Sequence, residues 1–128
     1  MLRSCKALLL ACCLAACASE VVRQPVEVSA TPPQQQKRYF TSQAATIRLD
    51  SGYYRTIGRE TEFLEIGRIK QGAVLKPVSS TFTVEGAHLH EAYLVVDNGR
   101  ITGFYLPVEG AFSPLSLSTT LVIEERRP

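Results

Sequence analysis

The sequence predicts an all-β protein, a small antiparallel barrel or sandwich, and three observations support this prediction. Apolar and polar residues alternate over several short stretches, as they do in a strand with one buried face. Single glycines and prolines lie between these stretches, where they would interrupt long helices. An Asn98-Gly99 pair between two apolar runs is typical of a tight hairpin turn. Together these features predict one β domain over residues 38–128.

The alternation locates several of the predicted strands. In each of three stretches the apolar residues share one parity along the chain: Ala45, Ile47 and Leu49; Phe82 and Val84; Leu117, Leu121 and Ile123. Residues of one parity on a strand point to the same face of the sheet. These stretches are therefore predicted to be strands with one face towards the core.

The segment between the first two of these stretches has a mixed pattern. Phe63, Ile66 and Ile69 are spaced by three, which suits a helical turn. Leu64 and Ile66 instead suit a strand, and we favour the strand. The residues that follow predict a hairpin that turns at Gln71-Gly72. This hairpin resembles the short strand pairs of SH3-like barrels, a resemblance that carries no functional motif.

The clearest local signal is the hairpin around Asn98-Gly99. A two-residue type I′ turn at this pair places Tyr93 opposite Phe104 on one face of the hairpin. The other face then holds Leu94 and Tyr105. Because both faces carry apolar side chains, we expect either a highly curved sheet or an outer face that another segment or a partner covers.

The N-terminal residues have the three parts of a secretion signal. Arg3 and Lys6 form a positively charged start, residues 7–16 form an apolar run of ten residues, and small residues precede Cys17. A transmembrane helix needs about 20 apolar residues, so this run is too short to span a bilayer. The segment is therefore predicted to be a signal peptide.

The four residues Leu14-Ala15-Ala16-Cys17 resemble the lipobox of bacterial lipoprotein precursors. The resemblance implies that residues 1–16 are a signal peptide that is cleaved between Ala16 and Cys17. It further implies that the Cys17 sulfur carries a diacylglycerol and that the new amino group is acylated. The membrane is then the first partner of the protein, reached through the lipid on Cys17.

The residues after the cysteine bear on where the protein is delivered. In Gram-negative lipoproteins an aspartate at this position commonly retains the protein in the inner membrane, whereas Ala18 and Ser19 follow Cys17 here. The resemblance therefore implies an outer-membrane protein that faces the periplasm, with the cell surface or another membrane leaflet as alternatives. Ala16-Cys17-Ala18 also fits an ordinary secretory cleavage site, which would release a soluble protein that begins at Ser19.

Removal of the predicted signal peptide changes the composition. The chain has fourteen Lys and Arg against twelve Asp and Glu, and loss of Arg3 and Lys6 leaves twelve of each. A neutral chain gives no reason to expect nucleic-acid binding. Three of the four cysteines lie in the signal peptide and the fourth is Cys17, so no thiol remains for a disulfide.

Residues 17–37 are predicted to be the lipidated N-terminus and a flexible tether. The segment contains three prolines and the run Gln34-Gln35-Gln36, and it has no sustained periodicity. About 20 residues of flexible chain have a root-mean-square reach of roughly 25 Å, so we expect the domain to stand away from the membrane. The alternative is that its valines form an edge strand when a partner binds: Val21, Val22, Val26 and Val28.

The sequence contains few residues that could bind a metal or catalyse a reaction. His88 and His90 would point the same way from a strand, which makes them weak candidates for a metal site with Glu85 or Glu91 as a third ligand. Histidines at the rim of the domain are the commoner explanation of this pattern. The sequence contains no Gly-x-Ser-x-Gly motif and no glycine-rich phosphate loop, so we expect neither an enzyme nor a cofactor.

Aromatic side chains offer a candidate interaction surface, formed by Tyr53, Tyr54, Tyr93 and Phe104. The alternative is that these residues fill a small core. We therefore expect a lipid-anchored, non-catalytic binding or accessory module whose partner is an envelope protein or complex. A periplasmic metal-binding protein that uses His88 and His90, and an inhibitor or immunity-type protein that restrains an envelope enzyme, are the alternative functions.

Overall fold

Antiparallel strands account for nearly all of the regular structure in the computed structural model, which describes residues 20–127. In chain order the strands are β1 (Gln24–Pro25), β2 (Ser29–Ala30), β3 (Arg38–Thr41), β4 (Ala45–Arg48), β5 (Tyr54–Ile57), β6 (Glu62–Ile69), β7 (Gly72–Pro77), β8 (Thr83–Glu85), β9 (Leu89–Glu91), β10 (Tyr93–Asp97), β11 (Arg100–Leu106), β12 (Ala111–Thr120) and β13 (Ile123–Glu125), with a 3₁₀ helix at Pro33–Gln35. All of the strand pairs among these described residues run antiparallel. The all-β prediction is confirmed, and the segment 62–69 is a strand.

In the described range 20–127 the main sheet has nine strands in the order β1-β12-β11-β10-β7-β6-β3-β13, with β2 also paired to β6. Only Leu121 and Val122 separate β12 from β13, although these strands lie six places apart in the sheet. Six strand spacings in a flat sheet measure about 29 Å. The chain from Thr120 to Ile123 can span only about 11 Å, so the sheet must be strongly curved.

The curved sheet does not close into a barrel within residues 20–127, because β1 and β13 are not paired with each other. Two small hairpins, β4–β5 and β8–β9, lie over one face, which we call the first face. Their buried residues Ile47, Ile57 and Val84 join Phe63 and Leu94 of the main sheet in the larger apolar cluster. Of the two predicted architectures, the structure therefore has the sandwich-like one.

The opposite face of the sheet, the second face, is also covered. Leu94 and Val95 are neighbours on β10 and point to opposite faces, yet both are 0% exposed. Val95 belongs to a smaller apolar cluster, against which Val26 and Val28 pack. The sequence expectation of an outer face covered by another segment therefore holds, and the covering segment is the N-terminal one.

Residues 21–36, which we call the N-terminal strap, lie against the sheet, whereas the sequence predicts a flexible tether over residues 17–37. The strap pairs with β12 through β1 and with β6 through β2. Thr31 N donates to Ile66 O at 2.9 Å. Gly67 makes the close approach possible, because a Cβ there would lie 2.6 Å from Ser29 O. Strand pairing with the main sheet thus begins at Gln24, before the predicted domain boundary at residue 38.

The two central hairpins differ in register from the sequence prediction. Asn98 and Gly99 have the positive φ angles of the expected turn, at 49° and 71°. A β-bulge then shifts the pairing, so that Tyr93 lies opposite Tyr105 and Leu94 opposite Phe104. Phe104 is therefore on the first face, beside Leu94, and not on the face of Tyr93.

The β6–β7 hairpin turns one residue earlier than predicted. Ile69 pairs with Gly72, which places Lys70 and Gln71 in the turn. Gly72 has a φ of 147°, and a Cβ there would lie 2.5 Å from Val96 O on β10. The glycine is thus required by the close approach of the neighbouring strand and is not a turn residue. The hairpin that resembles SH3-like barrels is present, but it belongs to the open sheet.

Candidate binding pocket

An open pocket of about 150 Å³ lies where five separate segments of the chain meet. The segments are residues 20–22, which lead into the N-terminal strap, the turn after β4 at 49–51, the strand β8, and the facing parts of β11 and of β12. Asp50 joins two of these segments, because it accepts hydrogen bonds from Ser116 N at 3.0 Å and Ser116 Oγ at 2.8 Å. The pocket therefore depends on the tertiary fold and not on one contiguous motif.

The floor of the pocket is apolar. Leu49, Val84 and Phe104 line it and are only 4%, 3% and 2% exposed. Val21 and Leu115 are partly buried and pack against the same cluster. A group that enters the pocket would therefore contact hydrocarbon that belongs to the core of the domain.

The rim of the pocket is acidic. Glu20, Asp50 and Glu85 line it, and the described residues that form its wall include no lysine or arginine. Arg55 forms an ion pair with Glu85, and Arg55 Nε donates to Thr83 O at 3.2 Å. The guanidinium thereby links the β4–β5 hairpin to β8 and fixes one wall of the pocket.

Two of the predicted interaction residues lie on the hairpin that carries part of this pocket. Tyr53 and Tyr54 are 56% and 61% exposed. Leu49 N donates to Tyr53 O at 2.7 Å, which closes the turn that places Asp50 and Ser51 at the pocket. A partner in the pocket would therefore be close to exposed tyrosine side chains.

The other two predicted interaction residues do not join this surface. Phe104 is buried in the pocket floor because the β-bulge turned it to the first face. Tyr93 is half-buried on the second face, where its ring lies 6.2 Å from that of Tyr105. The structure thus separates the four residues, and the single surface that the sequence suggested does not form.

The two histidines do not converge on a metal site. His88 is largely exposed, with Nε2 3.6 Å from Glu20 Oε1. His90 is buried, and its Nδ1 lies 2.6 Å from Glu109 Oε1. Residues 20–127 contain no group of three or more His, Cys, Asp and Glu side chains placed to hold a metal ion. Glu91 is exposed on the face of β9 opposite to His90.

The contact between His90 and Glu109 was not foreseen from the sequence. Burial alone would raise the pKa of Glu109, but its hydrogen bond with His90 and the nearby Arg23 lower that pKa below its ordinary value. Nε2 of His90 is buried without a hydrogen-bond partner among the described residues. The pair lies 19 positions apart in the chain, and no local pattern joins its members.

The predicted lipidation residue, Cys17, and the cleavage site before it lie outside the described residues. Residues 20–127 include no helix long and apolar enough to cross a membrane. Comparisons with protein-family models, curated proteins and solved structures found no match to this chain.

Proposed function

We propose that the protein is a lipid-anchored lipoprotein of the bacterial envelope that acts as a non-catalytic binding or accessory module. The observation that carries the binding role is the open pocket with its apolar floor and acidic rim. Exposed Tyr53 and Tyr54 lie on the same hairpin as part of its wall and provide contact area around it. Tyrosine suits this role because it combines a large apolar ring with a polar tip.

The proposed anchor is the lipid on Cys17. Each buried methylene of an acyl chain contributes about 0.8 kcal/mol, so several chains would hold the protein on a membrane permanently. Ala18 and Ser19 after the cysteine favour the outer membrane, with the domain in the periplasm. The partner is then an envelope protein or complex that reaches this surface.

The position of the pocket in the chain supports binding of the partner close to the membrane. Glu20 lines the pocket and lies only three residues after Cys17. Three residues of chain span at most about 11 Å. A lipid on Cys17 would therefore hold the pocket near the membrane surface.

Site-specific photocrosslinking in the native envelope tests the binding role. A photoreactive phenylalanine analogue replaces Tyr53, beside the pocket, or Val108, which is 80% exposed and does not line the pocket. We expect a discrete crosslinked product from position 53 and none of the same mass from position 108.

A second change makes the test specific to the pocket. Ser51 is exposed at the pocket, so Ser51→Phe adds a ring at its mouth without disturbing the core. The product from position 53 should disappear in this variant. Equal products from both positions, or a product that persists when the pocket is blocked, would contradict the proposed binding role.

A further inference from the structure

We infer that the pocket binds an apolar side chain flanked by basic residues, presented by a segment of the partner protein. This inference rests on the proposed binding function and adds the chemistry of the ligand. Three features of the pocket support it: its size, its floor and the sign of its charge.

The size of the pocket suits one side chain. A cavity of about 150 Å³ lined by aliphatic and aromatic residues accommodates a molecule as large as benzene. The pocket has this volume, and Leu49, Val84 and Phe104 give it an apolar floor. One leucine or phenylalanine side chain therefore fits, whereas a whole acyl chain of a lipid is too long to be enclosed.

The charge at the rim selects the residues beside that side chain. Glu20, Asp50 and Glu85 contribute three negative charges, and Arg55 neutralises one of them by its ion pair with Glu85. Within residues 20–127 the other two carboxylates, Glu20 and Asp50, form no ion pair with a lysine or arginine, and His88 beside Glu20 is charged only when protonated. Basic residues on either side of the bound side chain would be attracted to this rim.

The negative charges at the rim disfavour lipids, which are the other common ligands of an apolar pocket. A fatty acid and an anionic lipid headgroup both carry negative charge, which the carboxylates at the rim would repel. A basic segment of a protein has the required sign and places the apolar side chain between its charges. The complementarity therefore favours a peptide over a lipid.

Binding of three synthetic peptides tests the inference. The full protein is purified from the envelope and placed in nanodiscs of neutral phosphatidylcholine, with empty nanodiscs as the blank. The fluorescent peptides are alike except at their centre, which holds leucine between lysines, leucine between glutamates, or serine between lysines. Fluorescence anisotropy at pH 8 and low salt measures their affinities. We expect the first peptide to bind at least about threefold more tightly than the other two.

Variants of the protein locate the bound peptide. The double variant Glu20→Gln, Asp50→Asn removes charge while the new amide at position 50 can still contact Ser116, and it should weaken binding of the first peptide by about threefold or more. Ser51→Phe should abolish that binding by blocking the pocket. Asp97→Asn removes an exposed carboxylate that does not line the pocket, and it should leave the affinity unchanged. Thermal unfolding checks that each variant is folded.

Several results would overturn the inference. They are the absence of binding by the first peptide, equal binding of all three peptides, and an affinity that the double variant and Ser51→Phe leave unchanged. These results differ from a failure of the proposed function itself. If the peptides do not bind, but position 53 still gives a crosslinked product that disappears in Ser51→Phe, the pocket binds a partner of other chemistry. If the peptides do not bind and no such product forms, the proposed binding role is wrong as well.

Discussion

Substitution of Gly67 by alanine should release the N-terminal strap from the sheet. The added Cβ would lie 2.6 Å from Ser29 O and 2.7 Å from Val28 Cγ1. Ordinary van der Waals contact begins at 3.4 Å, so the strap must move by about 0.8 Å or the two strands must separate. The nearer atom is a backbone oxygen, which cannot turn away as a side chain can.

The expected cost follows from the contacts that this movement weakens. The hydrogen bond from Thr31 N to Ile66 O, now 2.9 Å, and the pairing of β2 with β6 lie next to the clash. Two weakened hydrogen bonds cost about 2 kcal/mol. Partial loss of the burial of Val28 adds up to about 1 kcal/mol. The sum, about 2–3 kcal/mol, agrees with the usual cost of overpacking.

Hydrogen exchange of the Thr31 amide in the full protein measures this effect, because the bond to Ile66 O protects that amide. A loss of 2–3 kcal/mol corresponds to a roughly 30- to 150-fold fall in protection. The matched control is Gly58→Ala, since a Cβ at Gly58 would have its nearest neighbour, Thr61 Oγ1, at 3.9 Å. The control should change protection by less than about threefold.

An unchanged exchange rate at Thr31 in Gly67→Ala would refute the reasoning. It would mean that the strap does not press against β6 and instead belongs to the flexible tether that the sequence predicts over residues 17–37. Faster exchange in Gly58→Ala by the same factor would also refute it, because the effect would then come from loss of a glycine and not from the close approach.

Two further predictions concern the anchor and the buried histidine. Metabolic labelling with a fatty acid should mark the protein, and Cys17→Ser should abolish both the label and its fractionation with membranes; label that persists would contradict lipidation at Cys17. The pKa of Glu109 is lowered in the folded protein by its hydrogen bond with His90. The ionised carboxylate therefore stabilises the fold at any pH above the ordinary carboxyl pKa of 4.5. This stabilisation is lost as the pH falls through the lowered pKa of the folded state. Urea unfolding at pH 6 and pH 3 should therefore show a larger loss of stability in the wild type than in Glu109→Gln, and equal losses would exclude this role.

The elements that could be predicted from the sequence are those formed by neighbouring residues. The hairpins β6–β7 and β10–β11 join strands that are consecutive in the chain. One short stretch of sequence therefore contains both the turn residues and the alternating apolar and polar residues that predict each hairpin. The bulge after Val95 has no comparable signal in the sequence. It places Phe104 in the floor of the pocket and not on the surface that the sequence predicts.

The docking of the strap and the position of the pocket could not be predicted from the sequence, for a different reason. The strands β1 and β2 have two residues each, too few to show a period of two. Their pairing follows instead from the apolar second face of the sheet, which needs a cover, and from Gly67, which leaves room for one. The pocket brings together residues from position 20 to position 115, and no local pattern predicts such an assembly.

The docked strap changes what a lipid on Cys17 would do to the domain. A tether of about 20 flexible residues would let the domain turn freely at roughly 25 Å from the membrane. In the structure Val21 already packs against the main cluster, which leaves four residues and at most about 14 Å of chain after Cys17. A short link restricts the orientation of the domain as well as its distance. With Glu20 both on this link and at the pocket, the proposed partner must bring its basic segment to the membrane surface to be bound.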